Sequence, residues 1–327
     1  MTTCAIIGGG IIGLSIAYRL AERGLDVQVR DAGRGGAWYV AAGMLAAGNE
    51  STWESPALGQ LMVESAKRWP SFARELGVAL PEDGTLVVAL TADDLAQARR
   101  EWDRQGLTPT DVRALEPAIT PRVRAGCHLA DDRQVDPRRV VDALRERVDV
   151  VPGRVDDLAD VDADRIVVAA GAGTAALTGL PVRPVKGEIL RLRGEPGVLR
   201  HVISGYADGR HVYLVPRADG EVIVGATQEE RGDHTVTAGA VHDLLRAAID
   251  LVPALADFAL TETLAGHRPS TPDNAPLLGR LDDRTIVAAG HHRNGVLLAP
   301  ITADLIAELV VTGKPDPLLA PFAPGRF

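Results

Sequence analysis

Cys4-Ala5-Ile6-Ile7-Gly8-Gly9-Gly10-Ile11-Ile12-Gly13-Leu14-Ser15-Ile16-Ala17 stands almost at the start of the chain, and its reading decides the fold. Four apolar residues in a row, Cys4 to Ile7, fit a strand buried on both faces, as in a parallel sheet. From Ile12 to Arg23 the period changes: Ile12, Ile16 and Leu20, with the small Ala17 and Ala21, fall on one side of a helix. Gly24 stands where that helix should end. Val27 to Arg30 then reads as a second strand, closed by Asp31. Strand, glycine turn, helix and strand in this order make a crossover unit, which pairs its two strands in parallel.

The turn spells Gly8-x-Gly10-x-x-Gly13. In such a turn the first glycine bends the chain and the second lets the backbone approach a pyrophosphate. The third lets the helix pack closely on the sheet, while N–H groups at the helix start face the anion. A glycine-rich turn without a ligand can have the same spelling. Here strand, helix, strand and terminal acid are all in register, and Asp31 is placed to accept hydrogen bonds from ribose hydroxyls, so the unit predicts a dinucleotide site. The motif does not choose between FAD and a nicotinamide.

Working outward, helical stretches are expected over Leu58–Leu76 and Asp93–Arg104, around a strand over Gly84–Leu90. Ile166–Ala170, running into Gly171-Ala172-Gly173-Thr174, reads as a buried parallel strand. His211–Val215 and Glu221–Gly225 flank Pro216-Arg217-Ala218-Asp219-Gly220, a hairpin signal. Val241, Leu244, Leu245, Ala248, Ile249 and Val252 mark one face of a helix. Thr285–Ala289 returns to strand, and after a turn over Gly290–Gly295 the last helix carries Leu305, Ile306, Leu309 and Val310. The predicted fold is α/β, a Rossmann-like nucleotide-binding domain interleaved with a β-rich α+β domain. The nucleotide domain is expected over 1–45, 140–180 and 265–327, and the substrate-binding domain over 46–139 and 181–264.

At 327 residues the chain can bury two cores. Its formal net charge of -9, with no local basic block, argues against a nucleic-acid partner and for a small molecule. The two cysteines, Cys4 and Cys127, lie far apart without metal-ligand spacing, so both are expected as packed thiols, with no disulfide framework and no metal. The N-terminal apolar run is broken by glycines and no stretch is long enough to span a bilayer, which predicts no signal peptide, no membrane partner and a cytoplasmic protein.

Further motifs narrow the choice. They are Ala41-Ala42-Gly43-Met44-Leu45, Pro184-Val185-Lys186-Gly187-Glu188, Tyr213-Leu214-Val215-Pro216-Arg217 and Val224-Gly225-Ala226-Thr227. They continue with Arg268-Pro269, Asp273-Asn274-Ala275-Pro276-Leu277-Leu278-Gly279 and the stretch Gly290-His291-His292-Arg293-Asn294-Gly295-Val296-Leu297-Leu298-Ala299-Pro300. With these, nearly the whole chain resembles the glycine oxidase/D-amino acid oxidase family of flavoenzymes.

The resemblance implies non-covalent FAD, a small amino-acid or amine substrate, molecular oxygen as electron acceptor, a link to thiamine biosynthesis and a tendency to homo-oligomers. It implies that Gly8, Gly10, Ile11, Ile12, Gly13, Asp31 and Ala32 hold the ADP part of FAD, with Val155 meeting the adenine through its backbone. Ala42, Gly43 and Met44 would run beside the flavin, and His291, His292, Arg293, Asn294, Gly295, Val296 and Leu297 would wrap its pyrimidine end. Arg268, helped by Arg293 and Tyr213, would hold the substrate carboxylate, which a guanidinium fork matches two-pronged. The chemistry implied is hydride transfer from Cα to flavin N5, giving an imine and then peroxide, with no side chain as acid or base. His211, on the same strand face as Tyr213, is expected to support the site from behind.

The chain departs from the family at some positions. Trp38 and Tyr39 stand where small or hydroxyl residues are usual, Gln228 replaces a hydrophobic residue, and His267 replaces leucine. These put the choice of substrate in question and leave three rivals: an oxidase of N-substituted glycines such as sarcosine or of another small amine, a dehydrogenase passing electrons to a carrier, and a non-catalytic flavin-binding module.

Overall fold

The computed structural model describes residues 2–33, 35–47 and 55–327. The opening segment folds as its pattern predicts, with a strand over Thr3–Ile7, a helix over Ile11–Glu22 and a strand over Asp26–Asp31. Thr3–Ile7 pairs in parallel with Asp26–Asp31 on one side and Arg165–Val168 on the other. A strand so placed is covered on both faces, which is why four apolar residues follow without alternation. Gly24 takes φ +78° just past the helix, a conformation a Cβ disfavours.

The resulting sheet has six strands, in the order Leu277–Arg280, Thr285–Ala289, Arg165–Val168, Thr3–Ile7, Asp26–Asp31, Asp149–Pro152. Only the pair Leu277–Arg280 with Thr285–Ala289 is antiparallel. The helices Ile11–Glu22 and Ala299–Thr312 pack together in its core, so segments from both ends of the chain complete one layer.

An eight-stranded sheet carries the rest, in the order Ala259–Ser270, Arg183–Arg193, Glu221–Gly225, Arg210–Pro216, Val202–Ala207, Thr85–Ala89, Ala125–Leu129, Pro109–Thr110. The expected hairpin turns through Gly220 at φ +85°. On one face, Leu244, Ala247, Ala248 and Leu251 of the helix Ala238–Leu251 pack on Leu190, Leu214 and Val224. The other face presents Ile189, Tyr213, Val215 and Ile223 to Val40, Ala42 and Met44. The segment 37–45 therefore lies across this sheet as a strap.

Two features differ from the sequence reading. The stretch Leu58–Leu76 is two helices, Pro56–Ala66 and Trp69–Leu76, because Pro70 has no N–H to continue the first ladder and is tolerated in the opening turn of the second. Leu58, Leu61, Met62, Trp69 and Phe72 from this pair join the core of the six-stranded sheet. The 11- and 12-residue strands Arg183–Arg193 and Ala259–Ser270 do not show as strands in the sequence. Pro184, Gly187, Gly266 and Pro269 interrupt their alternation, and their pairing with each other, which aligns Pro184 with Pro269, supplies what local propensity does not. Ala259–Ser270 lies in the eight-stranded sheet throughout.

Cys4 and Cys127 are both buried and unpaired, as expected. Burial pushes their thiols up, to about 12 for Cys4 and about 11 for Cys127, where they are inert. No helix among the described residues is long and apolar enough to cross a membrane.

Candidate active site

A cavity of about 650 Å³ extends from the first glycine turn, along the strap, to the strands bearing Tyr213 and Arg268. Each glycine of the turn has a distinct physical reason. At Gly8, with φ +115°, a Cβ would stand 2.3 Å from the Ala169 carbonyl oxygen, and at Gly13 it would stand 2.0 Å from the Gly8 carbonyl oxygen. At Gly9 it would meet the Asp31 carboxyl carbon at 2.6 Å. These three glycines let protein pack on protein. Gly10 differs: the nearest atom to its absent Cβ is Cδ1 of Trp38 at 3.5 Å, and Gly10 lines the cavity. The space a side chain would fill there is left to a ligand, at the start of the helix Ile11–Glu22, where backbone N–H groups await an anion.

Asp31 ends its strand beside this turn and also lines the cavity. Its carboxylate pairs with the Arg145 guanidinium and accepts from the Gly33 N–H at 3.3 Å. Arg145 also donates to the Gly9 carbonyl at 3.1 Å, so one side chain ties the glycine turn to the strand end. Sequence reasoning missed Arg145. Its only signal is its position on the helix Pro137–Arg145, which says nothing about reaching a turn so distant in sequence.

The strap lies over the middle of the cavity. Gly43, at φ +82°, is forced by a crossing so close that a Cβ would stand 1.9 Å from the Val135 carbonyl oxygen. Arg138 donates to the Tyr39 carbonyl at 3.0 Å and Arg217 to the Ala42 carbonyl at 2.5 Å, which fastens both halves of the strap. Burial lowers Arg217 to about 10, with nearby carboxylates opposing, and it stays a cation at neutral pH. Trp38 turns into the cavity wall, while Tyr39 turns away and lies under the Arg138 guanidinium at 3.8 Å.

At the far end, Arg268 projects from the strand Ala259–Ser270, and its guanidinium lies over Gly187 of the neighbouring strand. A Cβ on Gly187 would stand 2.5 Å from one Arg268 terminal nitrogen. That nitrogen donates to the carbonyls of Thr227 at 3.2 Å and Lys186 at 3.3 Å, which holds the fork in place. Tyr213 and His211 both reach the cavity from one strand face, as their spacing predicts. The Tyr213 ring lies over Gly225, where a Cβ would clash with the hydroxyl at 2.3 Å.

His211 is exposed and is among the residues that line the cavity. It therefore lines the cavity directly instead of standing behind it, bonded to the Ser204 hydroxyl at 3.3 Å. Burial, and then the charge of Arg293, lower its pKa. Burial pushes His291 down to about 3 and, with Arg268 and Arg293 adding to it, His292 to about 4. His291 bonds the Thr302 hydroxyl at 3.2 Å and His292 the Ser270 hydroxyl at 2.5 Å. Both imidazoles are neutral structural groups at pH 7. Among the described residues, the acids that line the cavity are Asp31 and Asp156.

Most of the expected residues meet in this one cavity: Gly8, Gly10, Ile11, Ile12, Asp31, Ala32, Ala42, Gly43, Met44, Val155, Tyr213, Arg268, His291, His292, Arg293, Gly295 and Val296. Gln228 and His267 stand in its wall as well. Gly13, Asn294 and Leu297 do not. Gly13 packs under Gly8, Asn294 is buried, and the Leu297 carbonyl accepts from Ser65 at 2.6 Å and Trp69 at 2.9 Å on the core side. No cluster of His, Cys, Asp or Glu among the described residues could hold a metal.

A glycine turn of the dinucleotide-binding kind and a far end lined by Arg268 and Arg293 share one cavity, an arrangement able to bring a nucleotide cofactor to a small anionic substrate. Residues 3–309 match the model of the DAO family, FAD dependent oxidoreductases, and the chain belongs to that family. It is 36% identical to the bifunctional protein ThiO/ThiG of Synechocystis sp., over 98% of this chain and 53% of that protein. It thus spans about half the length of that relative. It is 33% identical to glycine oxidase of Geobacillus kaustophilus, over 98% of this chain and 95% of that one. The crystal structure of glycine oxidase from Geobacillus kaustophilus superposes with a TM-score of 0.87 at 31% identity, covering 100% of each chain. The enzyme is thus FAD-dependent, and the open space at Gly10, the acid at Asp31 and the cavity volume of about 650 Å³ fit that cofactor.

Proposed function

We propose that the protein is an FAD-dependent oxidase of glycine or a similar small amino acid. The observation that carries this reading is the convergence of Arg268, Arg293 and Tyr213 on one cavity that is continuous with the glycine turn. In this reading the six-stranded unit carries the cofactor and the eight-stranded sheet supplies the substrate side. Gly8–Ile12 and Asp31 hold the ADP moiety, Ala42–Met44 flank the ring system, and the loop His291–Val296 closes its far edge. FAD supplies the two-electron acceptor for oxidation of the Cα–N bond, and oxygen recovers those electrons as peroxide.

The chain's own residues orient and select. Arg268 grips the carboxylate two-pronged, its guanidinium held over Gly187 by the Thr227 and Lys186 carbonyls. The two guanidinium groups disfavour an ammonium nearby, so the amine is held in its uncharged, reactive form. His211, His291 and His292, kept neutral, add no competing charge. No side chain needs to act as base. The product imine then hydrolyses to the oxo acid and ammonia, which for glycine is glyoxylate. The likeness to ThiO/ThiG supports a place in thiamine biosynthesis, and the two unpaired buried thiols are compatible with a cytoplasmic setting.

The test is peroxide release across glycine, sarcosine, D-alanine and methylamine, with the flavin identified after acid precipitation. Free FAD in the supernatant and turnover of the amino acids but not of methylamine is the expected result. Peroxide from none of the four, or methylamine preferred, would overturn the assignment.

A further inference from the structure

Trp38 lines the cavity beside the glycine turn, and its indole has no role in the proposed reaction. It is 6% exposed, and the part of it that remains open belongs to the cavity wall. The pyrrole edge of the ring borders the glycine turn: Cδ1 lies 3.5 Å and Nε1 4.0 Å from the point a Gly10 Cβ would occupy. Gly36 borders the same edge, and a Cβ there would crowd Cδ1 at 2.9 Å and Nε1 at 3.0 Å. Tyr39 packs edge-on against the ring, with centroids 5.6 Å apart. The indole is thus wedged in one orientation, and its Nε1 has no hydrogen-bond partner among the described residues.

An indole N–H can only donate, and a donor held at the edge of a cavity calls for an acceptor within it. The acceptor that belongs beside Gly10 is anionic, because the turn offers backbone N–H groups and the positive end of a helix to the same space. We infer that Trp38 is a cofactor-binding residue whose Nε1–H donates to the diphosphate of FAD. The inference rests on reading the Gly8–Gly13 turn as the diphosphate cradle. It adds a side-chain donor to a site otherwise built from backbone.

The experiment titrates FAD into apoenzyme, followed by flavin fluorescence, for wild type, Trp38→Phe and Gly10→Val. Phenylalanine keeps an aromatic ring in the slot and removes the N–H. A charge-assisted hydrogen bond predicts that Trp38→Phe weakens FAD by at least about tenfold, and weakens ADP as a competitor by a similar factor. The melting temperature of the apoenzyme should stay close to that of wild type. An FAD affinity within twofold of wild type overturns the inference. So does a loss of affinity matched by an equally destabilised apoenzyme, since the ring would then only pack. Gly10→Val keeps the underlying reading separate: normal FAD binding by that variant would refute the cradle itself, whatever Trp38→Phe does.

Discussion

At the glycine turn, backbone from a few consecutive residues borders the cavity, and side chains are mostly excluded so that strand, turn and helix can touch. At the other end of the same cavity the contacts are side chains, Arg268, Arg293 and Tyr213, delivered by two strands and a loop from separate parts of the sequence. The first device is local and tolerates almost no substitution. The second is assembled over long range, and each member can be changed while the fold stays intact. Cofactor and substrate should therefore respond to different mutations.

The largest effect is expected at Gly13. Gly13→Val places atoms where the Gly8 carbonyl already stands, 2.0 Å from the new Cβ, so the turn cannot keep its shape. Overpacking of this kind costs about 1–3 kcal/mol, and it falls on the cradle itself. The variant should purify without flavin, read as the flavin-to-protein absorbance ratio; a full complement of FAD would show that the turn is softer than the packing implies.

Gly187→Ala sharpens the contrast from the other side. Its Cβ would push on the Arg268 fork from 2.5 Å, far from the nucleotide. We expect kcat/KM for glycine to fall about tenfold, a misplacement effect, with FAD affinity unchanged. Parallel losses of both would mean the two ends are mechanically coupled.

Asp31→Ala should weaken FAD by about tenfold while leaving turnover at saturating FAD unaltered, because a ribose contact binds equally throughout the reaction. Arg145→Gln should act in the same direction and less strongly, since it loosens Asp31 without removing it. Flavin fluorescence titration checks both, and an Arg145 variant with weaker FAD than Asp31→Ala would assign Arg145 a contact of its own.

The smallest effect is a pH dependence of stability. His291 and His292 are held below the ordinary histidine value of 6.5, at about 3 and about 4, mainly by burial. Between pH 6.5 and 4 the unfolded chain takes up protons at these positions and the folded protein does not. Their contribution is therefore fully present above pH 6.5 and falls as pH drops, by up to about 1.4 kcal/mol per pH unit for each. Urea midpoints at pH 7 and pH 5 should show the loss, and His292→Gln should reduce it. A midpoint independent of pH in this window would contradict neutral histidines.

The same contrast explains what could be read from the sequence. The cradle was legible because strand period, glycine spacing, helix period and Asp31 all lie within one short segment, where local rules suffice. The strands Arg183–Arg193 and Ala259–Ser270, which seat Arg268, were not legible as strands, because prolines and glycines break their alternation and their pairing with each other stabilises them. Arg268 itself came from the family resemblance. Arg145, the role of Gly187 under the Arg268 fork and the opposite orientations of Trp38 and Tyr39 depend on contacts across the chain, which a linear pattern does not carry. His211 was expected behind the site and instead faces the cavity, since alternation gives a strand face but not how deep a pocket cuts into it.

The most direct test of the account compares wild type and Arg268→Lys in two titrations, one with FAD and one with glycine. Lysine keeps the charge and loses the fork that matches a carboxylate. The account predicts FAD affinity and the flavin spectrum unchanged, a steep rise in KM for glycine, and a ten- to hundredfold drop in kcat/KM, about what a charge-assisted bond is worth. Methylamine, which has no carboxylate, should be a poor substrate for both enzymes and indifferent to the change. Equal handling of glycine by the two enzymes would move the anchor to Arg293 and contradict the assignment of the chamber.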